Sequence, residues 1–151
     1  MKSMTNQIRI REFRPSDLPK IVEYRMQTAA ISFHGERFDE KKARSILLTH
    51  ARRHPGMIKV AEHEGRQVGF VRFQKRSGPL GRSGHINVIF VEEPYRKHGV
   101  GALLLSAAEA HLKKAGIRRI TADVTASNQA SLDFFEERGY SPRRVVLEKK
   151  N

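Results

Sequence analysis

The stretch Val88-Ile89-Phe90-Val91-Glu92-Glu93-Pro94-Tyr95-Arg96-Lys97-His98-Gly99-Val100-Gly101 decides the fold. It joins a strand to a helix through a short polar turn. The strand reads as His85 to Val91. Its later residues are nearly all apolar, which predicts a central position buried on both faces. The helix reads as Val100 to Ala115, with Leu104, Ala108, His111 and Ala115 as its apolar stripe. Lys113 and Lys114 suit its C-terminal dipole, and Gly116 ends it. Glycine at the helix start lets backbone come close to a ligand. The first N–H groups of a helix lack internal partners and sit at the positive end of its dipole. Together these features form a phosphate site, with Arg96, Lys97 and His98 adding positive charge. No Lys-Ser or Lys-Thr follows the second glycine, so this is not a P-loop. Nor does it spell the dinucleotide pattern G-x-G-x-x-G.

Working outward toward the N-terminus, Met57 to Phe73 reads as a hairpin with its turn at Glu64-Gly65-Arg66. Ser77 to Gly84 is rich in Gly and Ser and is expected to be a loop. Asp39 can cap a helix with Ala43, Ile46, Leu47 and His50 on one face, stopped by Pro55-Gly56. Ala30 to Phe38 lacks periodicity and reads as a loop. Pro15-Ser16-Asp17 opens a helix carrying Leu18, Ile21, Val22, Met26 and Ala29. Gln7 to Glu12 alternates as a strand. Toward the C-terminus, Arg118 to Val124 is a strand. Ser127 or Asn128 caps a last helix that stops at Gly139, and Val145, Val146 and Leu147 are expected in a final strand. Consecutive hairpins plus helix crossovers predict one α/β domain over residues 1–151. Its mixed sheet carries helices on both faces.

Composition narrows the class. The chain has 151 residues, enough for one core and too few for two. No cysteine is present, so disulfides, thiolate metal sites and a cysteine nucleophile are excluded. Met1 to Gln7 has no apolar signal region, and no apolar run approaches a membrane span, so a cytoplasmic protein without a membrane partner is expected. Lys plus Arg number 29 against 16 acidic residues, a net charge of +13. Such a field attracts polyanions. The basic residues are spread from Lys2 to Lys150, so the charge biases the protein toward nucleic acid or the ribosome without specifying either. His50 and His54 have helical spacing but no further ligand, so no metal is expected.

Arg96 to Gly101 spells R-x-x-G-x-G, which resembles the acetyl-CoA pyrophosphate loop of the GNAT superfamily of N-acetyltransferases. Asn128-Gln129-Ala130-Ser131-Leu132-Asp133-Phe134-Phe135-Glu136-Glu137-Arg138-Gly139-Tyr140 is similar to that superfamily's second motif. The resemblance covers nearly the whole chain and is specific for the superfamily, not for a substrate. It implies a GNAT-like sheet with splayed central strands and acetyl-CoA in the gap. Pantetheine would pair with backbone at Phe90 and Val91. Pyrophosphate would sit on the N–H groups of Lys97, His98, Gly99, Val100 and Gly101, beside Arg96. Asn128, Ser131 and Phe135 would contact the cofactor from the second motif.

The reaction implied is direct attack of an amine on the thioester. His85 is the candidate base, with Asn87 two residues on to hold a water. The competing reading makes His85 a strand-edge residue. Where many relatives carry a tyrosine as general acid, this chain has Phe135, and Tyr140 or a water is the substitute. The acceptor pocket is expected at Ala30 to Phe38 and Ser77 to Gly84, near Glu36 and Asp39. The expected partners are an unidentified amine acceptor and a second copy of the chain. The alternative is a non-catalytic module on the same fold that binds acyl-CoA, RNA or the ribosome.

Overall fold

Alternation at Ile8, Arg9, Ile10 and Arg11 produces β1 (Ile8–Glu12), one edge of a five-stranded sheet. The computed structural model describes residues 7–32 and 39–151. Pro15 presets a 3-10 turn over Pro15–Asp17, which runs into α1 (Leu18–Ser32). The Asp39 carboxylate accepts the Lys42 N–H at 2.8 Å and starts α2 (Glu40–Arg53). Then β2 (Ile58–His63), β3 (Arg66–Gly78) and β4 (Gly81–Val91) form an antiparallel meander. α3 (Val100–Lys114) crosses over to β5 (Ile120–Ala122), which lies parallel to β4. α4 (Gln129–Glu136) follows. The strand order is β1-β2-β3-β4-β5.

Each sheet face buries one apolar cluster. Val68, Val71, Phe73 and Ile86 pack against Leu104, Leu105, Ala108 and Leu112 of α3. Val60, Phe70 and Phe90 pack against Leu18, Ile21, Val22 and Tyr24 of α1 and Leu47 of α2. Helices therefore cover both faces, as the periodicity predicts.

Several expectations from sequence need correction. α1 continues to Ser32, three residues into the expected loop; residues 33–38, with Glu36, lie outside the described residues. Ser77 to Gly84 is not a loop. The β3–β4 ladder runs to Gly78↔Gly81, because main-chain pairing needs no apolar side chain. Gly84 is there for packing: a Cβ on it would lie 2.5 Å from the Leu112 side chain. β4 thus begins four residues before His85, which sits inside the strand rather than at its start. β5 holds only Ile120–Ala122 of the expected Arg118 to Val124.

The final strand does not form. Val145, Val146 and Leu147 are 83%, 91% and 90% exposed, with no strand beside them among the described residues. β-propensity measures fit to a pleated, half-buried surface, and these side chains meet none.

Candidate active site

β4 is not buried on both faces throughout, and the exception locates the site. β5 pairs with β4 at Gly84↔Ile120, His85↔Thr121 and Ile86↔Ala122 only. Past Ile86, β4 keeps β3 as its strand partner and Asn87, Val88, Ile89 and Val91 become half-buried. The two strands therefore part like a fork. The register with β3 also shifts here, from Arg72↔Val88 to Phe73↔Ile86, which leaves Asn87 as an extra residue in β4. Such a bulge bends the strand and leaves a peptide outside the ladder. The Phe90 ring is buried against Tyr24 at 4.5 Å, so Phe90 offers a ligand backbone rather than side chain. The Val91 carbonyl accepts from Arg96 Nε at 2.8 Å.

The glycine turn lies at the open end of the fork. Lys97 and Gly99 take left-handed φ of 63° and 81°, the first unusual for a non-glycine residue. Gly99 is the N-cap of α3, and Leu103 N–H is bonded to the Gly99 carbonyl at 3.0 Å. The N–H groups of Val100, Gly101 and Ala102 precede that first helical bond, so they have no intrahelical acceptor. Arg96, Lys97 and His98 are exposed around them. This concavity of N–H groups and cations suits a pyrophosphate. Gly101 serves a different purpose. A Cβ there would come 3.1 Å from the Phe134 ring, so this glycine seats α4 against α3.

His85 is 3% exposed. Its Nδ1 lies 2.9 Å from Thr121 Oγ1 and its Nε2 lies 3.5 Å from Asp123 Oδ2. Burial holds its pKa below the ordinary histidine value, the Arg76 and Arg72 charges push the same way, and Asp123 opposes them. The imidazole is neutral at pH 7. Across the ladder from His85 is Gln74, whose Oε1 accepts from Asn87 Nδ2 at 3.3 Å. Gln74 thus stands beside His85 in the ladder and holds the Asn87 side chain, at the base of the fork.

The second motif supplies packing and a cap. The Asn128 side chain accepts the Ser131 N–H at 3.2 Å and starts α4. The Phe135 ring packs edge-on against Phe134 at 5.2 Å and Tyr140 at 5.1 Å. The Tyr140 hydroxyl donates to Glu109 Oε2 at 3.0 Å. Burial, reinforced by Glu109, raises its pKa well above the usual phenol value. Phe135→Tyr should leave the melting temperature within a few degrees and speed turnover if the lost thiolate needs a proton donor. An unchanged kcat would show that protonation is not limiting.

Sequence reasoning missed Thr121 and Asp123, which flank His85, and Arg72 and Gln74, which border Asn87. The first two are legible only once β5 is docked in register. Arg72 leaves a local trace, a charged residue within the run Val68 to Phe73. Among the described residues no cluster of three or more His, Asp or Glu is placed to hold a metal ion, and no helix is long and apolar enough to cross a membrane.

A forked mixed sheet with N–H groups exposed at its opening is the arrangement that the resemblance to the GNAT superfamily implies. The acetyltransferase (GNAT) family profile matches residues 18–140. The chain belongs to that family, and it is an acetyl-CoA-dependent N-acetyltransferase. It is 27% identical to the uncharacterized N-acetyltransferase YhfO of Bacillus subtilis over 133 residues, covering 87% of this chain and 88% of that one. It is 27% identical to mycothiol acetyltransferase of Propionibacterium freudenreichii, covering 89% of this chain but 43% of that protein. In fold it is similar to the aminoglycoside N-acetyltransferase AAC(6')-Iy in complex with CoA, with a TM-score of 0.79 and 18% identity over 95% of this chain and 94% of the other.

Proposed function

We propose that the protein transfers the acetyl group of acetyl-CoA to a primary amine by direct attack. The observation that carries this reading is the fork between β4 and β5, opening onto the N–H cradle at Lys97 to Ala102. In this reading pyrophosphate sits in the cradle beside Arg96 and the pantetheine arm runs along the backbone of Phe90 and Val91. Asn128 and Ser131 border it from the start of α4, and Phe135 packs near it. A family relative, L-ornithine N5-acetyltransferase NATA1 of Arabidopsis thaliana, is named for an amine acceptor; it is 38% identical over 74 residues, 48% of this chain and 32% of that one.

The amine lone pair attacks the thioester carbon. The new C–N bond forms, the C–S bond breaks, and coenzyme A leaves as a thiolate that is then protonated. A peptide N–H at the Asn87 bulge is the donor for the developing oxyanion. A lysine-like amine with pKa near 10.4 costs about 4.6 kcal/mol to neutralise at pH 7. His85 offsets that cost as base, through a water shared with Asn87, because its ring is buried. If Thr121 accepts from Nδ1–H, Nε2 is the atom that takes the proton, and Asp123 stabilises the imidazolium. Tyr140 keeps its proton, donated in a hydrogen bond to Glu109, so the thiolate is protonated by water.

Calorimetry with acetyl-CoA is the first test. Ligand at roughly a hundred times its dissociation constant should stabilise the fold by about 2.7 kcal/mol. No binding at millimolar acetyl-CoA sinks the proposal. Binding without thiol release across a broad amine panel favours the non-catalytic acyl-CoA-binding alternative, and retention of RNA or ribosomes would then direct attention to the +13 charge. The same proposal places the protein in the cytoplasm and pairs it with a second copy. The outer edge of β5 and the exposed Val145, Val146 and Leu147 support that pairing. Sedimentation should show a dimer; a monomer at high micromolar concentration overturns it.

A further inference from the structure

At the base of the fork a buried donor and a buried acceptor have no hydrogen-bond partner among the described residues. Arg72 stands on β3 opposite Val88. Its Nη1 lies 3.3 Å from His50 Nδ1, while His50 Nε2 lies 2.8 Å from the Phe73 carbonyl and 3.3 Å from the Met57 carbonyl. Carbonyls only accept, so the His50 proton is on Nε2 and Nδ1 accepts from Arg72. Burial, with the nearby Arg72 and His54 charges, pushes His50 down to about 4, so the ring is neutral. A neutral ring, rather than a carboxylate, thus orients the guanidinium. Among the described residues Arg72 makes no ion pair, and its buried Nε has no hydrogen-bond partner. Arg72 is still cationic at neutral pH, since burial and the Arg25 charge bring it down only to about 10. More positive charge surrounds it. Arg25 acts on Arg72, and Arg76 and Arg72 both act on His85. A buried cation facing other cations is costly unless an anion joins it.

The orphan acceptor is Asn87 Oδ1, also buried. Asn87 follows Ile86, the last β4 residue paired with β5, and precedes Val88, the residue opposite Arg72. Arg72 and Asn87 therefore stand at neighbouring positions of the β3–β4 ladder, where the fork opens. A zwitterion matches that pair: a nitrogen with hydrogens to give, and an oxyanion a few bonds away.

Resting on the acetyl-transfer reading, we propose that the acceptor is an amine carrying a carboxylate or phosphate group close to its nitrogen, selected by Arg72. Asn87 Oδ1 takes an N–H of the amine, Arg72 takes the oxyanion, and His50 positions Arg72. The positive face then has a use, since it rejects polyamines and polycationic sugars that carry no anion.

The test uses matched acceptors: glycine against glycinamide, O-phosphoethanolamine against ethanolamine, and spermidine as a pure cation. Thiol release from acetyl-CoA is followed. The anionic member of at least one pair should have the higher kcat/KM, by roughly ten- to a hundredfold, the worth of one hydrogen bond to a charged group. The favoured pair tells carboxylate from phosphate. Arg72→Gln should erase the preference through KM while acetyl-CoA affinity stays unchanged, and Arg72→Lys should restore part of it. Preference for the neutral members or spermidine, or an unchanged ratio in Arg72→Gln, overturns the proposal. If no pair is turned over, sodium acetate and inorganic phosphate are titrated into the acetyl-CoA-bound protein while the Arg72 Nε–H resonance is followed by NMR. A saturable shift with either anion supports the proposal, and none with both overturns it. Failure of acetyl-CoA itself to bind defeats the acetyl-transfer reading instead, and calorimetry reports that separately.

Discussion

Gly99→Val should abolish acetyl-CoA binding in a protein that remains folded. Gly99 has φ of 81° and ψ of 5° and is the N-cap of α3. Two consequences follow from adding a branched side chain there. The left-handed conformation costs an L-residue about 1–2 kcal/mol, which a domain with 5–15 kcal/mol of stability survives. The larger effect is local, because relief of that strain rotates the peptide whose neighbours Val100, Gly101 and Ala102 aim their N–H groups outward. Valine also places two methyl groups where a pyrophosphate must approach the backbone. Gly99→Asn separates the two causes. Asparagine tolerates the left-handed region, so it keeps the turn while adding bulk. Both variants should lose affinity if bulk blocks the phosphate, and only valine if the turn itself is lost. Calorimetry with acetyl-CoA, with circular dichroism melting as the folding control, decides. A folded Gly99→Val that binds normally removes the phosphate-cradle assignment. Gly101→Val is a poorer probe, since its Cβ meets the Phe134 ring and reports on α4 packing.

The reading of Arg96 to Gly101 from sequence anticipated the strand–turn–helix junction because its information is local. Glycine positions, the strand before them and the helix after them all lie within fourteen residues. The helices were legible for the same reason: Asp39 and Asn128 both cap where the pattern places them. Non-local pairing was not legible. Ser77 to Gly84 looked like a loop because Gly and Ser are read by propensity. Here the glycine at 84 exists so that Leu112 can approach. Val145 to Leu147 failed in the opposite sense, with strand-forming residues and no strand to join. The fork itself is invisible in sequence. Nothing in Ile120-Thr121-Ala122 announces that pairing stops at Ile86, and nothing in Asn87 marks the bulge. Tyr24 shows the same limit. It is buried and donates to Glu92 at 2.6 Å, a contact across 68 residues of chain that no window of sequence contains.

His85→Ala should lower kcat by about a hundredfold or more, the usual worth of general-base assistance. The structure sharpens this expectation in one respect and makes it harder in another. Burial, then Arg76, hold His85 below the ordinary histidine pKa, so the base is already free at pH 7. The rate should therefore rise with pH along a limb whose midpoint lies below 6.5, the unperturbed value. It should be flat from this group above neutrality. Asp123 acts against that shift. Asp123→Asn should move the midpoint lower still, a displacement that a purely structural histidine would not transmit to the rate.

The difficulty is stability over the same range. A histidine whose pKa falls on folding leaves the folded state with fewer bound protons than the unfolded chain. Its stabilising contribution is present above 6.5 and is lost as pH falls toward the lowered value. His50 acts in the same sense, down to about 4. Rates on the acid limb must accordingly be taken at temperatures where melting curves at each pH show folded protein. His85→Gln preserves bulk and a donor for Thr121, and it should lose kcat as the alanine variant does while keeping acetyl-CoA affinity. An alanine or glutamine variant that retains most of its kcat and the wild-type limb assigns His85 to the packing between β4 and β5. The base must then be sought among the groups that face the open fork.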